Sequence, residues 1–264
     1  MNRRCGDRQI TFDDVGTTDG APVVLLHPFP FDRRYWAGTL AALAPRHRVI
    51  TVDAHGFGES PATGPFAIAD LASDLAALLD ALGVPQAAVV GLSMGGYTAL
   101  AFAQHHPARL AALVLADTRA AADSSEARRG REDARALIES SGSSTYLDRS
   151  LPRLLAPDAT PALLARVRAL AEARGERIIA GLAALRDRPD RTGELAAIPC
   201  PTLVIAGARD QVVPLDEMRG LSAAIPKARF VALGGAGHLA NLEAPAPFEA
   251  VLGAFLDGLP AVAR

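Results

Sequence analysis

The chain has 264 residues, half of them hydrophobic, with 27 basic and 29 acidic side chains and a formal net charge of −2. That is ample apolar material for a large core and too little positive charge to neutralise a phosphate backbone, so nucleic acid is excluded as an expected partner. Two cysteines, Cys5 and Cys200, lie far apart with no C-x-x-C pair, which excludes a disulfide framework and a cysteine-rich metal site.

The N-terminal stretch MNRRCGDRQI carries charge with no apolar segment behind it, so no signal peptide and a cytoplasmic location are expected. Short apolar runs then alternate with helical patterns. Val23–Leu26 predicts a first strand, followed by His27-Pro28-Phe29-Pro30. Both prolines lack an N–H, so Phe29 is the only residue from 28 to 30 that can donate from its backbone. Val49–Val52 predicts a second strand. Leu71, Leu75, Leu78, Leu79 and Leu82 then recur at i, i+4, i+7, i+8 and i+11, one apolar helix face with Gly83 just past its end.

From Ala81 to Ala108 there is no Asp, Glu, Lys or Arg. Pro85, Pro107 and a Gly-Ser-Gly turn interrupt this stretch, which predicts a buried strand, Ala88–Val90, and a buried helix rather than a membrane span. Further runs at Leu113–Leu115, Leu203–Ala206 and Phe230–Leu233 complete the set. Most are continuous rather than alternating, as strands covered on both faces read. The expected fold is α/β with a mainly parallel sheet flanked by helices.

The strand rhythm stops between residues 118 and 192. Leu151, Leu154 and Leu155, then Leu163, Leu164, Val167 and Leu170, suggest short amphipathic helices there. The segment holds fourteen arginines against eleven acids, an excess of three positive charges. We expect a helical insertion at 118–192 within a core formed by 1–117 and 193–264.

Gly91-Leu-Ser93-Met-Gly95 fits G-x-S-x-G between the strand at Ala88–Val90 and the helix opening at Tyr97. A sharp strand-to-helix turn presents such a serine hydroxyl at the top of a sheet. The competing reading is a glycine-rich turn whose serine caps the helix. A nucleophilic serine needs a base, and the base an orienting acid. Of six histidines, His238 lies in the glycine-rich loop Leu233-Gly-Gly-Ala-Gly-His238 after a strand. His105 and His106 end a helix, His47 reads as solvated between two arginines, and His27 and His55 follow strands and could line a site. Asp210 ends Ile205-Ala-Gly-Ala-Arg-Asp210, again after a strand. Asp117 is the rival acid, with a helix cap or hinge at the start of the insertion as its structural alternative. Ser93, Asp210 and His238 all fall at the carboxyl ends of strands, where open α/β sheets place their sites.

HPFP, DAHGFGES, GLSMGG, GARDQVVP and GAGHLANLEAP in that order resemble the α/β-hydrolase superfamily, and within it the compact capped esterase and lactonase-like members. The resemblance spans nearly the whole chain. It implies Ser93 as nucleophile, Asp210 as acid, His238 as base, and the Phe29 and Met94 amides as an oxyanion hole. It also implies a helical cap inserted between two late strands. Pro28 stands where the family usually has glycine after the histidine, and His55 where it usually has arginine. A serine at the elbow argues against the members that use an aspartate nucleophile, the haloalkane dehalogenases and epoxide hydrolases.

The expected function is a serine hydrolase that cleaves small carboxylic esters or lactones through a Ser-His-Asp triad and an acyl-enzyme. Trp36, Tyr97 and Leu239 are expected to line the substrate pocket. The same triad could serve C–C bond hydrolysis or cofactor-free perhydrolysis, although perhydrolase-like relatives tend to carry tryptophan at the position of Phe29. A non-catalytic ligand-binding protein on this fold is the third reading. No cofactor, metal, nucleic acid or membrane is expected, and the choice between monomer and homodimer is left open.

Overall fold

The computed structural model describes residues 1–5, 8–17, 22–61 and 64–259. The side chain of Cys5 and the last five residues of the expected core fall outside the described residues, and Cys200 is free and buried.

Eight strands form one sheet: β1 (Asn2–Cys5), β2 (Arg8–Gly16), β3 (Val23–Leu26), β4 (Arg48–Val52), β5 (Ala87–Leu92), β6 (Leu110–Ala116), β7 (Thr202–Gly207) and β8 (Ala228–Leu233). Their spatial order is β1-β2-β4-β3-β5-β6-β7-β8. From β4 to β8 every pairing is parallel, and β1 and β2 add an antiparallel edge. All residues of β3, β5 and β7 are buried, because helices cover both faces. Each fully buried valine or leucine contributes on the order of 1.5–3 kcal/mol, so these runs dominate the core.

The six strands expected from apolar runs are all present. The two that were not expected, β1 and β2, are polar on one side and short of continuous apolar sequence. In β2 only Ile10, Thr11 and Phe12 are buried, and the following Asp13 and Asp14 pair with arginines. Asp14 accepts two hydrogen bonds from Arg48 of β4, at 2.9 and 2.7 Å.

The helices of the sheet layer are α1 (Ala37–Leu43), α2 (Ile68–Ala81) and α3 (Met94–His105). The leucine stripe forms the buried face of α2, and Gly83 follows in the left-handed region at φ +63°. Between β6 and β7 come α4 (Ser125–Ser150), α5 (Pro161–Leu170) and α6 (Gly175–Arg186), with no strand. Helix α4 starts on Ser124, whose side chain accepts from Ala127 N, and is broken at Gly142 (φ +83°, ψ 160°). After β7 follow α7 (Leu215–Ala223), α8 (Ala240–Glu243) and α9 (Pro245–Asp257). No helix of the described residues is long and apolar enough to cross a membrane.

Parallel register brings the strand ends to one level. Leu26 pairs with Gly91, Leu92 with Ala116, Ala116 with Ile205, and Gly207 with Leu233. The loops carrying Phe29, Ser93, Asp117, Asp210 and His238 therefore leave from the same edge of the sheet.

Candidate active site

Ser93 sits between β5 and α3 at φ +52°, ψ −113°, a backbone state that costs a non-glycine residue about 1–3 kcal/mol. Neighbours hold it there. Its amide donates to Ala116 O at 3.0 Å, and its carbonyl accepts from Tyr97 N at 3.1 Å and Thr118 Oγ1 at 2.8 Å. The flanking glycines are demanded by close approach. A Cβ on Gly91 would stand 2.2 Å from Gly95 O, and one on Gly95 would stand 2.1 Å from Leu26 O. The side chain of Ser93 makes no cap hydrogen bond to α3, which disfavours the reading as a capping serine.

Met94 is the first residue of α3, so its amide has no intrahelical acceptor. Phe29 lies on the turn after β3, ahead of a cis peptide bond to Pro30. No hydrogen bond among the described residues uses either amide. His27 braces this turn. Its Nε2 accepts from Ala54 N at 3.0 Å, so Nδ1 carries the proton and donates to Pro28 O at 3.0 Å. Burial pushes its imidazole below the usual histidine range, against the Pro28 carbonyl and the Asp53 charge.

His238 Nδ1 and Asp210 Oδ2 are 2.7 Å apart, and the two side chains are 2% and 1% exposed. The second oxygen of Asp210 accepts from Val212 N at 2.6 Å and Val213 N at 3.1 Å, which fixes the carboxylate plane.

Asp117, the rival acid, makes no contact of that kind. It lies at φ +43° with no exposed surface, and its Oδ1 accepts from Gly207 N at 2.6 Å. Burial pushes its carboxyl well above the usual range; the nearby Asp210 and Glu243 carboxylates push the same way, and the Gly207 and Ala240 amides oppose them. Its Oδ2 meets no hydrogen-bond criterion with any described residue. Asp117 thus joins the ends of β6 and β7. The expectation of a helix cap is corrected: Ser124 caps α4.

Of the residues expected to line a pocket, Leu239 follows His238 directly and is buried, and Tyr97 lies one turn into α3 with the Arg188 guanidinium 4.3 Å over its ring. Trp36 is corrected. It has no exposed surface and packs edge to face on Tyr35 and at a tilt against Phe248 of α9, with centroids at 5.3 and 6.3 Å, as part of the core. His47 is corrected as well: its Nε2 lies 3.1 Å from Asp257 Oδ1, and its side chain is 16% exposed. His55 packs edge-on against Phe66, and the cation on the buried Asp53 is Arg33, at 2.5 Å, rather than residue 55. A cavity of about 30 Å³ lined by His27, His55, Met94 and Thr98 lies beside the elbow and is too small for an ester. Among the described residues no group of three or more His, Cys, Asp or Glu side chains is arranged to hold a metal ion.

Three residues outside the expected set act on these loops. Glu243 accepts backbone amides on both sides of His238. Glu172 N donates to Pro30 O at 2.7 Å, joining the segment between α5 and α6 to the Phe29 turn. Arg188 joins the end of α6 to Asp123 at 2.6 Å. Glu172 and Arg188 act on partners distant in sequence, and Glu243, although inside GAGHLANLEAP, also reaches Ala156, 87 residues away.

The sequence profile of the alpha/beta hydrolase family matches residues 23–251. A protein of Pseudomonas savastanoi pv. phaseolicola (strain 1448A / Race 6) named as a carbamate hydrolase, RutD, is 34% identical over 232 residues, which covers 85% of this chain and 89% of its own. The structure is similar to a thermophilic esterase from Thermogutta terrifontis, with TM-score 0.90 and 36% identity over 96% of this chain and 94% of that one. It is also similar to the enol-lactonase of Burkholderia xenovorans LB400, with TM-score 0.89 and 30% identity over 97% and 100% of the two chains. Hydrolysis is common to the three names. The chain is a hydrolase and belongs to the α/β-hydrolase family, among its esterase- and enol-lactonase-like members.

Proposed function

We propose that the chain is a serine hydrolase of small carboxylic esters or lactones, with Ser93, His238 and Asp210 as its triad. The observation that carries the reading is the buried 2.7 Å bond from His238 Nδ1 to Asp210 Oδ2 on loops leaving the same sheet edge as the Ser93 elbow. That bond leaves Nε2 as the basic nitrogen. His238 takes the Ser93 hydroxyl proton as Oγ attacks the carbonyl carbon, and the Phe29 and Met94 amides receive the oxyanion. The C–O bond to the leaving alcohol then breaks, and His238 returns the proton to it. Water, deprotonated by His238, hydrolyses the acyl-enzyme and frees Ser93.

Residues 118–192 serve as the cap in this reading. Support comes from their contacts with the catalytic loops: Glu172 N on Pro30 O, Gly181 against the Phe29 ring, and the Leu155–Ala156 peptide between Gln211 and Glu243. Tyr97 and Leu239 are the pocket residues retained from the sequence.

A second reading has a specific observation behind it. The relative named as a carbamate hydrolase covers 85% of this chain, and a carbamate carbonyl can be attacked by the same three residues.

The test is turnover of p-nitrophenyl esters of graded acyl length, a lactone set and a carbamate set, with wild type beside Ser93→Ala, and labelling by a fluorophosphonate. We expect ester or lactone turnover and labelling of wild type, both abolished in Ser93→Ala. Full labelling of Ser93→Ala overturns the nucleophile, and turnover confined to carbamates selects the second reading.

A further inference from the structure

Glu243 is the last residue of α8, and all of its partners are backbone N–H groups. Its Oε1 accepts from Gly237 at 2.9 Å and from Leu239 at 3.3 Å, the residues before and after His238. Its Oε2 accepts from Ala156 at 2.7 Å, on the segment that follows Leu151–Leu154 in the insertion. The other end of that same peptide group, Leu155 O, accepts from Gln211 Nε2 at 2.7 Å, and Gln211 directly follows Asp210. One peptide of the insertion is therefore held by the acid loop on one side and the base loop on the other. The approach is tight: a Cβ on Gly237 would stand 2.4 Å from Ala156 N.

A carboxylate suits this place because it only accepts. Three donors converge on two oxygens, and an amide side chain would turn an N–H toward an N–H. A carboxylate that served only to stabilise the start of the short helix α8 would have no reason to reach Gly237 and Ala156, which lie outside it.

We propose that Glu243 is a positioning residue that locks His238 to the insertion through the Leu155–Ala156 peptide. The inference rests on the hydrolase reading above. Movement of the insertion at this peptide is transmitted to the His238 loop, so turnover depends on the insertion being seated. An error of about 1 Å in the position of a general base costs up to about a hundredfold in rate, and a partial loss of this clamp should cost about tenfold.

The experiment compares the full chain with Glu243→Gln and Ala156→Pro. The second variant replaces the donor N–H by a ring CH₂, which cannot sit against Glu243 Oε2, and leaves every residue of the base loop unchanged in sequence. Leu155 already has extended angles, φ −113° and ψ 161°, that suit a following proline. Steady-state kinetics on the best ester from the panel should show kcat lowered about tenfold in both variants with KM within about twofold. Amide hydrogen exchange at Gly237 and Leu239 should accelerate in both, including Ala156→Pro, where the two bonds to Glu243 are formally intact. Unchanged kcat in both variants overturns the proposal, as does unchanged exchange at Gly237 and Leu239 in Ala156→Pro. If Glu243→Gln does not fold, Ala156→Pro decides alone. Should wild type show no Ser93-dependent turnover, the hydrolase reading fails, and the exchange measurement still decides whether the clamp exists.

Discussion

Gly181 of α6 meets the Phe29 ring with no room for a side chain: a Cβ there would stand 2.6 Å from Phe29 Cε2 and 2.9 Å from Phe57 Cζ. The two rings brace each other edge to face at 6.0 Å, so neither can yield alone. Phe29 is also the residue whose amide is proposed to hold the oxyanion. Helix α6 thus touches the Phe29 turn at a position where a single methyl group is felt.

Alanine in place of glycine within a helix ordinarily stabilises by about 0.5–1 kcal/mol. At residue 181 the collision should outweigh that gain. Gly181→Ala should lower kcat/KM for the best ester by about tenfold, bounded by the ~3 kcal/mol that loss of one oxyanion donor costs. Steady-state kinetics with matched circular dichroism checks it, and a variant as active as wild type would show that the Phe29 turn tolerates the shift.

Asp210→Asn should lower turnover by about 10⁴ without unfolding the chain. The geometry gives the reason. Val212 N and Val213 N both need an acceptor on one oxygen, so the asparagine carbonyl must face them. Its NH₂ then faces His238 Nδ1, and the imidazole is driven to carry its proton on Nε2, where it can no longer accept from Ser93. A loss smaller than tenfold would remove Asp210 from the proposed triad.

For Asp117 the readout is stability against pH. Its carboxyl is pushed well above the usual range, chiefly by burial. In the unfolded chain it ionises near pH 4. Above that pH unfolding releases a proton, so the contribution of Asp117 falls as pH rises, by about 1.4 kcal/mol per unit until the folded group itself ionises. Asp117→Asn removes this slope and leaves a pH-independent cost of about 1–3 kcal/mol for its buried amide donors. Urea denaturation should therefore show the variant weaker than wild type near pH 5 and gaining on it as pH rises, until the folded carboxyl ionises. Parallel curves for the two proteins would mean that Asp117 is ionised in the fold.

What the sequence makes legible follows from where the deciding contacts lie. The central strands are readable because burial on both faces writes a continuous apolar run, as in Leu113–Leu115. The elbow is readable because a Cβ on Gly91 would stand 2.2 Å from Gly95 O, a closeness met only by glycine at fixed spacing. Asp210 and His238 are readable because each ends a glycine-containing loop after a strand. Strand β2 escapes, since its acids pair with Arg48 of β4 and with Arg33 on the segment after β3 rather than following a period. Trp36 misleads because an aromatic near the oxyanion turn could face a pocket or the core, and only Phe248, more than two hundred residues away, decides for the core. Glu172 and Arg188 are silent for the same reason, each joined to a partner elsewhere in the chain, and GAGHLANLEAP contains Glu243 without showing its reach to Ala156.

Arg188 carries the last prediction. Its Nη1 donates to Asp123 Oδ1 and Leu185 O at 2.6 and 2.7 Å, its Nη2 donates to Ala121 O at 3.1 Å, and the guanidinium covers the Tyr97 ring. The segment entering the insertion and the segment leaving it are thereby tied to each other and to α3, the helix that opens at Ser93. Burial raises the Asp123 carboxyl, but hydrogen bonds and charge from Arg131 and Arg188 outweigh it and hold the group below its usual range. Removing one partner of a buried ion pair costs about 3–5 kcal/mol; since Arg131 would still serve Asp123, the lower figure applies to Arg188→Met. Arg188→Lys should fall between, because one ammonium cannot span a carboxylate, two carbonyls and a ring. The sign with pH is the reverse of that for Asp117. A lowered carboxyl contributes above its unfolded range, near pH 4, and loses that contribution as pH falls through the folded value. The gap between wild type and Arg188→Met should therefore be full at pH 7 and narrow in acid. Urea midpoints at a series of pH values measure it, and limited trypsin digestion locates it, with first cuts expected among the arginines of residues 118–192. A gap that stays constant into acid, or first cuts elsewhere in the chain, would place the role of Arg188 outside this tie.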